Sequence, residues 1–245
     1  MLLKKTVEPV PPPPSVQMEA ARFCVVIPAY CEERFIRPLV QYVRALGLTA
    51  VVVDDGSGDR TALEAEAGGG FVLRHPVNRG KGVALKTGLE WAREQGYEAA
   101  VTLDADGQHD PAEIPNFLEA YRRTGIPVLI GNRMWEPRGM PAIRYWTNRL
   151  MSGMLNAQMK QYVPDTQCGY RLIRCDLVPF VAARSERFAA ESEILLRMSE
   201  RGIRIGSVRI TTIYGEEKSS IRPVSDTLQF FRMLLVYRYS RRKRR

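Results

Sequence analysis

Short apolar runs alternate with amphipathic segments along the first half of the chain. The runs at 23–27, 50–53, 71–73, 99–103 and 128–130 predict strands, and the segments at 33–46, 60–67, 82–95 and 111–123 predict helices. Strands that are apolar throughout are typical of parallel sheets covered on both faces. The pattern therefore predicts an α/β fold in which a mostly parallel sheet carries helices on both faces.

Polar and glycine-rich segments follow the predicted strands. They occupy residues 28–33, 54–61, 75–82, 104–111 and 131–133. Ligands of open α/β sheets bind beyond the carboxyl ends of the strands. We therefore expect these five segments to form one site.

The segment after the fourth strand carries the clearest chemistry. Asp104, Asp106 and Gln108 alternate, so their side chains converge if the extended backbone continues past the strand. Two carboxylates and an amide oxygen suit Mg²⁺ or Mn²⁺, and Mg²⁺ normally shares its shell with substrate phosphates. The alternative is an Asp- and Gly-rich turn with capping acids, which we favour for Asp110 because Pro111 follows it.

Two further segments suit a nucleotide. Asp54 and Asp55 end an apolar run, where a carboxylate can accept hydrogen bonds from a base or a ribose; the alternative is a simple turn. Lys81 lies in a glycine-rich, basic segment ahead of a helix, so it can face phosphates. The glycine spacing matches neither a P-loop nor a dinucleotide-binding turn.

Charge is concentrated at the end of the chain. The 245 residues are 45% hydrophobic and 26% charged, which is typical of a soluble globular protein. Seven Lys and Arg side chains and no acid lie in 232–245, and without these cations the net charge falls from +9 to +2. This distribution argues against nucleic acid as a partner and favours a local contact with an anionic membrane surface.

The chain divides into three parts. We expect residues 1–21 to form a disordered, Pro-rich extension, 22–221 to form the α/β domain, and 222–245 to form a basic amphipathic helix and tail. Leu228, Phe231 and Leu235 share one side of that helix, which can lie on a membrane or pack on the domain. No run is long enough to span a bilayer and no signal peptide is evident, so we expect a protein at the cytoplasmic face of a membrane.

Several motifs in one order carry a family resemblance. They read Val-Ile-Pro-Ala-Tyr-Cys-Glu-Glu, Asp-Asp-Gly-Ser-x-Asp-x-Thr, Asn-x-Gly-Lys-Gly, Asp-Ala-Asp-Gly-Gln-His-Asp-Pro and Gly-Asn-Arg. The chain resembles family 2 glycosyltransferases, in particular the dolichyl- and polyprenyl-phosphate sugar transferases. The resemblance implies a GT-A fold and an inverting transfer from a nucleotide-diphosphate sugar to a polyprenyl phosphate, such as dolichyl or undecaprenyl phosphate.

The resemblance also implies residue roles on the donor side. The nucleoside would be held by Pro28, Tyr30, Glu32 and Asp55, with Asp54 nearby. The metal and the diphosphate would be held by Asp104, Asp106 and Gln108, with Arg133 beside the phosphates or the sugar. Among these residues, we expect Asp106 and Arg133 to act in the transfer itself.

On the acceptor side, the resemblance assigns the lipid phosphate to Arg144 and Asn148, with Arg171 as a second candidate. Arg144 is also expected to act in the transfer. The family often has a basic residue before a late Gly-Glu segment, where this chain has Thr-Ile-Tyr; Lys218 is the substitute candidate. Glu191 and Glu193 open a helix, where they either complement its dipole or belong to the site.

Other functions remain open. A hydroxyl acceptor would require a carboxylate base, for which Glu191 and Glu193 are the late candidates. A sugar-phosphate nucleotidyltransferase would have a glycine-rich, arginine-containing first loop, and a non-enzymatic membrane adaptor would not need the polar strand ends.

A lipid phosphate is already an oxyanion and needs no base, so positioning and charge neutralisation are the main tasks. A separate membrane subunit is a further partner that the sequence leaves open.

Overall fold

The computed structural model of the protein describes residues 21–137, 139–159, 161–180, 187–211 and 230–237. Its strands are β1 (Phe23–Ala29), β2 (Thr49–Asp54), β3 (Phe71–Arg74), β4 (Ala99–Thr102), β5 (Val128–Asn132), β6 (Arg171–Arg174) and β7 (Ile205–Arg209). Its longer helices are α1 (Ile36–Ala45), α2 (Thr61–Ala67), α3 (Lys81–Glu94), α4 (Ile114–Thr124), α5 (Ala142–Asn156) and α6 (Arg187–Glu200). Short 3₁₀ turns span Pro111–Glu113, Arg133–Trp135 and Cys175–Phe180, and residues 230–237 are helical.

The strands form one sheet in the order β3-β2-β1-β4-β6-β5-β7. All neighbouring strands are parallel except β6, which runs antiparallel to both β4 and β5. The five strands predicted from apolar runs are present, which confirms the mostly parallel α/β sheet. Strands β6 and β7 were not predicted, because β6 is a four-residue strand with an arginine at each end and β7 buries only Ile205 and Val208, a spacing without strand periodicity.

The core fixes the position of the site. All seven residues of β1 are buried, and α1 buries Ile36, Leu39, Val40 and Val43 at helical spacing. Helix α3 packs closely on the sheet at Gly88, where a Cβ would overlap Val26 and lie 3.0 Å from Val53. This close packing holds the first residue of α3, Lys81, at the carboxyl edge of the sheet.

The helix at 230–237 divides its apolar residues between two faces. Phe230, Met233 and Leu234 are buried, whereas Phe231 and Leu235 are exposed by 38% and 68%. The Tyr237 hydroxyl donates to the Leu196 carbonyl at 3.4 Å, which docks this segment on α6. The segment therefore packs on the domain and also leaves the predicted Phe231 and Leu235 side open.

Parts of the predicted organisation lie outside the described residues. They are residues 1–20, Leu228, Lys218 and the basic run 241–245. The three-part division of the chain stays a prediction. In the described ranges, no helix combines the length and the apolar character needed to cross a bilayer.

Candidate active site

Asp104 lies at the centre of a partly buried charge network beyond β4. The Lys81 ammonium nitrogen lies 2.8 Å from Asp104 Oδ1 and 3.0 Å from Asp104 Oδ2. The same nitrogen lies 2.8 Å from Glu191 Oε1. Burial opposes both charges, but Asp104 and Glu191 raise the pKa of Lys81, and Lys81 and His109 lower the pKa of Asp104. The charged forms of all three side chains are therefore paired with one another. Lys81, which was predicted to face phosphates, contacts two carboxylates of the protein in this structure.

The pKa of Asp106 is shifted in the opposite direction from that of Asp104. Burial, followed by the charge of Asp104, raises the pKa of Asp106. Asp106 Oδ1 accepts a hydrogen bond from the Gln108 amide nitrogen at 3.0 Å. Two neighbouring carboxylates that repel each other, beside an amide oxygen, are a donor set that a hard divalent cation stabilises. The residues therefore fit Mg²⁺ or Mn²⁺.

This donor set is incomplete by itself. In the described part of the chain, no three His, Cys, Asp or Glu side chains form a cluster that could hold a metal. The predicted set has only two carboxylates and Gln108, whose side-chain oxygen accepts from Arg144 Nη2 at 3.2 Å. Mg²⁺ usually takes one or two carboxylates and completes its shell with water and substrate phosphates. The set suits a cation that binds together with a diphosphate.

His109 is enclosed behind Asp104. Its Nε2 lies 3.8 Å from Asp104 Oδ2, and its ring lies 5.2 Å from that of Tyr170. Burial is the main cause that lowers the pKa of His109 to about 4, so the imidazole is neutral at pH 7. Its Nδ1 is buried and has no hydrogen-bond partner among the described residues. His109 is thus a neutral hydrogen-bonding group beside the predicted metal ligands.

The two acids that end β2 organise the neighbouring loops. Asp54 is fully buried and accepts from the Ser57 amide and from Arg74 Nε, each at 3.0 Å. Asp55 Oδ1 accepts from the Arg79 amide at 3.0 Å and lies 2.7 Å from His75 Nδ1, while its Oδ2 accepts from the Gly80 amide at 2.7 Å. Both acids therefore shape the loops that carry the donor motifs. Their contact with a nucleoside stays a prediction.

The loop after β1 is tied to the loop after β2. The Cys31 amide donates to Ser57 Oγ at 2.9 Å, and the Glu32 amide donates to Thr61 Oγ1 at 2.8 Å. Tyr30 is half-exposed, whereas Pro28 is buried in β1. Among the residues predicted to hold the nucleoside, Tyr30 has the most exposed side chain. The buried Pro28 can act only through the backbone conformation of β1.

Arg133, at the end of β5, is anchored rather than open. It is 7% exposed, and its Nε and Nη2 donate to the two carboxylate oxygens of Asp165 at 2.7 and 2.9 Å. Such a bidentate pair fixes the guanidinium plane. This partner was not predicted, because Asp165 lies 32 residues further along the chain.

The inward face of α5 carries the predicted acceptor residues. Arg144 reaches Gln108, and Asn148, one turn later, is 9% exposed. The Asn148 side-chain nitrogen is buried and has no hydrogen-bond partner in the described ranges. Buried polar groups are normally paired, so this donor indicates a place where a ligand can bind.

Arg171 has a different environment from the other acceptor candidates. It is 3% exposed, and it donates to the carbonyls of Cys168 at 2.9 Å and Thr166 at 3.2 Å. Its Nη2 lies 3.0 Å from Glu191 Oε2. These contacts favour a structural role in supporting Glu191, and the predicted contact with a phosphate stays untested.

Two functional positions are clearer in the structure than in the sequence. Glu191 joins Lys81 to Arg171, whereas Glu193 pairs with Arg197 on its own helix. A Cβ at Gly169 would lie 2.8 Å from Asp104 Oδ2 and 3.0 Å from the Lys81 ammonium. The absence of a side chain at Gly169 therefore leaves space for the ion pair of Asp104 and Lys81. In the sequence, the only signal for this role is that Gly169 lies two residues before β6.

Comparison with known proteins places this site in a family. The model for Glycosyl transferase family 2 matches residues 24–179, more than half of the chain. A UDP-N-acetylglucosamine–dolichyl-phosphate N-acetylglucosaminyltransferase of Methanococcus voltae is 31% identical over 215 residues, covering 78% of this chain and 86% of the relative. An undecaprenyl-phosphate mannosyltransferase of Micrococcus luteus is 32% identical over 186 residues, covering 69% of this chain and 75% of the relative.

A solved structure shares the fold. Glucosyl-3-phosphoglycerate synthase of Mycobacterium tuberculosis, in complex with Mn²⁺, UDP-glucose and phosphoglyceric acid, superposes with a TM-score of 0.70. The match covers 92% of this chain and 84% of that protein at 20% identity. The predicted GT-A fold is confirmed. With the family model matching across the strand-end motifs, the chain belongs to glycosyl transferase family 2 and is a glycosyltransferase.

Proposed function

We propose that this enzyme transfers a sugar, with inversion and with a divalent metal ion, from a nucleotide-diphosphate sugar to a polyprenyl phosphate. The relatives from Methanococcus voltae and Micrococcus luteus carry names that specify dolichyl and undecaprenyl phosphate as acceptors. Both relatives are more than 30% identical to this chain over most of its length. These names support a lipid phosphate acceptor here.

The contact that carries the proposal joins Arg144 to Gln108. Arg144 lies on the acceptor side and Gln108 is a predicted ligand of the metal and diphosphate, yet their side chains are 3.2 Å apart. The unpaired Asn148 donor lies on the same face of α5. A phosphate bound by Arg144 and Asn148 would therefore lie next to the leaving diphosphate, which is the arrangement that a direct displacement requires.

The chemistry needs no proton transfer. A phosphate oxygen of the acceptor attacks the anomeric carbon and forms the new C–O bond, while the bond from that carbon to the donor diphosphate breaks on the opposite side. A divalent cation held by Asp104, Asp106 and Gln108 would neutralise the departing nucleoside diphosphate. Lys81 fixes Asp104 through the ion pair, and Arg144 orients the acceptor oxyanion.

A hydroxyl acceptor fits the site less well. It would require a general base, and the two late candidates are engaged in ion pairs: Glu191 with Lys81 and Arg171, and Glu193 with Arg197. Both carboxylates are thus already engaged by cations of the protein. The pairing therefore favours an acceptor that is ionised before it binds.

We place the enzyme at the cytoplasmic face of a membrane, where a polyprenyl phosphate is embedded. The cationic run 241–245 would add affinity for anionic lipid, with or without a separate membrane subunit. This placement depends on the lipid acceptor.

The test is a panel of nucleotide sugars with a short, water-soluble polyprenyl phosphate and either Mg²⁺ or Mn²⁺. We expect one donor to yield a lipid-phosphate sugar of inverted anomeric configuration, and excess chelator to stop the reaction. Full turnover in chelator would contradict the metal, and retention of configuration would contradict the mechanism.

A further inference from the structure

Helix α5 carries an apolar stripe on its outward face. Ile143, Trp146 and Leu150 are exposed by 74%, 65% and 59%. Their spacing of three and four residues places them on one side of the helix. Large apolar side chains that are exposed singly are common, but three on one helix face form a surface that favours a partner.

The opposite face of the same helix belongs to the active site. Arg144, Asn148, Ser152 and Leu155 point inward, the last three buried. One helix of 15 residues thus has predicted phosphate ligands on one side and exposed apolar side chains on the other. A phosphate held on the inward face would be one helix diameter, about 10–12 Å, from whatever covers the outward face.

The charge of α5 favours an anionic partner. The helix contains no acidic residue, and of its two arginines Arg144 faces inward whereas Arg149 is exposed. Arg149 is exposed beside the stripe and donates to the Tyr145 hydroxyl at 3.3 Å. Tryptophan, aliphatic side chains and arginine on one helix surface are typical of helices that lie in the interface of a bilayer.

The stripe is small for a protein partner. Three large side chains, each about two-thirds exposed, present roughly 400 Å², about half of the ~800 Å² that each partner contributes to a standard protein interface. A bilayer has no such minimum area, since each buried apolar group adds to binding. A second copy of this chain is therefore the weaker occupant.

We propose that the outward face of α5 docks on an anionic phospholipid bilayer and sets the active site at the membrane surface. This inference rests on the proposed lipid acceptor, because a bound polyprenyl phosphate carries an apolar chain that must leave the site toward hydrocarbon. The outward face of α5 brings that hydrocarbon to the helix whose inward face receives the phosphate. The docking face is defined by Ile143, Trp146 and Leu150.

The experiment is sedimentation of the full chain with vesicles of phosphatidylcholine and phosphatidylglycerol. Leu150→Asp is expected to weaken vesicle binding by about tenfold or more, because it removes a leucine from the docking face and adds a charge that the lipid repels. Leu63→Asp is the matched control, since Leu63 on α2 is exposed by 58%. The control is expected to bind as the unmodified protein does, and both variants are expected to keep turnover on a water-soluble acceptor.

A second measurement reports how deeply the docking face enters the bilayer, and it does not require a substitution by aspartate. The chain has three tryptophans, so Trp91→Phe/Trp135→Phe leaves Trp146 alone. Brominated phospholipid in the vesicles is expected to quench the fluorescence of this tryptophan. The control is the double variant that also carries Trp146→Phe, which contains no tryptophan and reports the background signal.

Three results would overturn the docking face. They are equal vesicle binding by Leu150→Asp and the unmodified chain, absence of Trp146 quenching in bound protein, and loss of a dimer in Leu150→Asp with vesicle binding retained. Deletion of 241–245 distinguishes the tail, whose contribution should be lost at high salt while that of the stripe persists. Stripe-dependent vesicle binding would support this inference even if no polyprenyl phosphate accepts sugar, so its failure can be separated from that of the proposed function.

Discussion

The Lys81 ammonium lies 2.8 Å from Asp104 Oδ1, although the two residues are 23 positions apart: Lys81 begins α3 and Asp104 lies in the segment after β4. Glu191 shares the same ammonium. The residue before Lys81, Gly80, donates its amide to Asp55. A continuous set of polar contacts thus joins the loop that shapes the predicted nucleoside site to the predicted metal ligand.

Replacing Lys81 tests this connection. Lys81→Met removes the cation from the partly exposed Asp104 and one of two cations from the buried Glu191, so we expect a loss of about 1.5–3 kcal/mol in the free energy of unfolding together with loss of donor binding. Denaturant titration and calorimetry with the nucleotide measure the two effects. Lys86→Met on the same helix is the control, because its pair with Glu90 is exposed and contributes at most about 0.5 kcal/mol. Equal stability of the two variants would contradict the role of the pair.

Gly169 offers a test that leaves all charges in place. In Gly169→Ala the new methyl group would lie 2.8 Å from Asp104 Oδ2, so the Asp104 and Lys81 pair must move. We expect nucleotide binding to weaken by about tenfold or more. Gly153→Ala, on α5, has no atom within 4 Å of its Cβ and is expected to gain up to about 1 kcal/mol of stability from helix propensity. Undiminished nucleotide binding in Gly169→Ala would show that the pair does not position the donor.

Asp106 is expected to matter for activity and not for folding. Because burial and Asp104 raise its pKa, the ionised Asp106 carboxylate is disfavoured in the folded protein without a cation. Asp106→Ala should therefore keep or raise the melting temperature while transfer falls by at least about 10²-fold and metal-dependent nucleotide binding is lost. Calorimetry with Mn²⁺ and nucleotide measures the binding. Asp176→Ala, at an exposed acid, is the control. Binding of Mn²⁺ and nucleotide at the normal affinity would remove Asp106 from the metal site.

Arg144 and Arg171 are expected to separate in function. Arg144→Ala should raise KM for the lipid acceptor by about tenfold or more and leave nucleotide binding nearly intact, since Arg144 is half-buried on the inward face of α5. Arg171→Ala should chiefly lower the melting temperature, because it leaves Glu191 without one of its partners in the interior. Kinetics with varied lipid and thermal unfolding give the two readouts. Selective loss of acceptor binding by a stable Arg171→Ala protein would restore Arg171 as a phosphate ligand.

The sequence predicted β1 to β5 because each is a continuous apolar run. It did not predict β7, although β7 pairs with β5 in parallel. It missed β6, in which Arg171 is buried by contacts with Cys168, Thr166 and Glu191. A strand that contains a charged residue does not stand out as an apolar run in the sequence. The partners that allow Arg171 to be buried come from other parts of the chain and are brought near only by the fold. The same reason limited the site: Arg133 was predicted beside the phosphates, but its orientation depends on Asp165, which the sheet brings near.

The alternation of Asp104, Asp106 and Gln108 predicted a shared metal site on the condition that the extended backbone continues, but β4 ends at Thr102 and residues 105–107 bend. Their convergence on one cation stays a prediction. Lys81 was predicted to face phosphates, whereas in the structure it pairs with Asp104 and Glu191. Its partners lie 23 and 110 positions further along the chain, distances over which periodicity and spacing carry no signal.

The central claim is that the acceptor nucleophile is a lipid phosphate. The direct measurement offers the enzyme its radiolabelled nucleotide sugar with equal amounts of a short polyprenyl phosphate and the corresponding polyprenol, which differ only in the phosphate group. Chromatography of the products then shows which acceptor carries the label. We predict label on the polyprenyl phosphate alone, lost in Arg144→Ala; transfer to the polyprenol hydroxyl, or to both at equal rates, would contradict it.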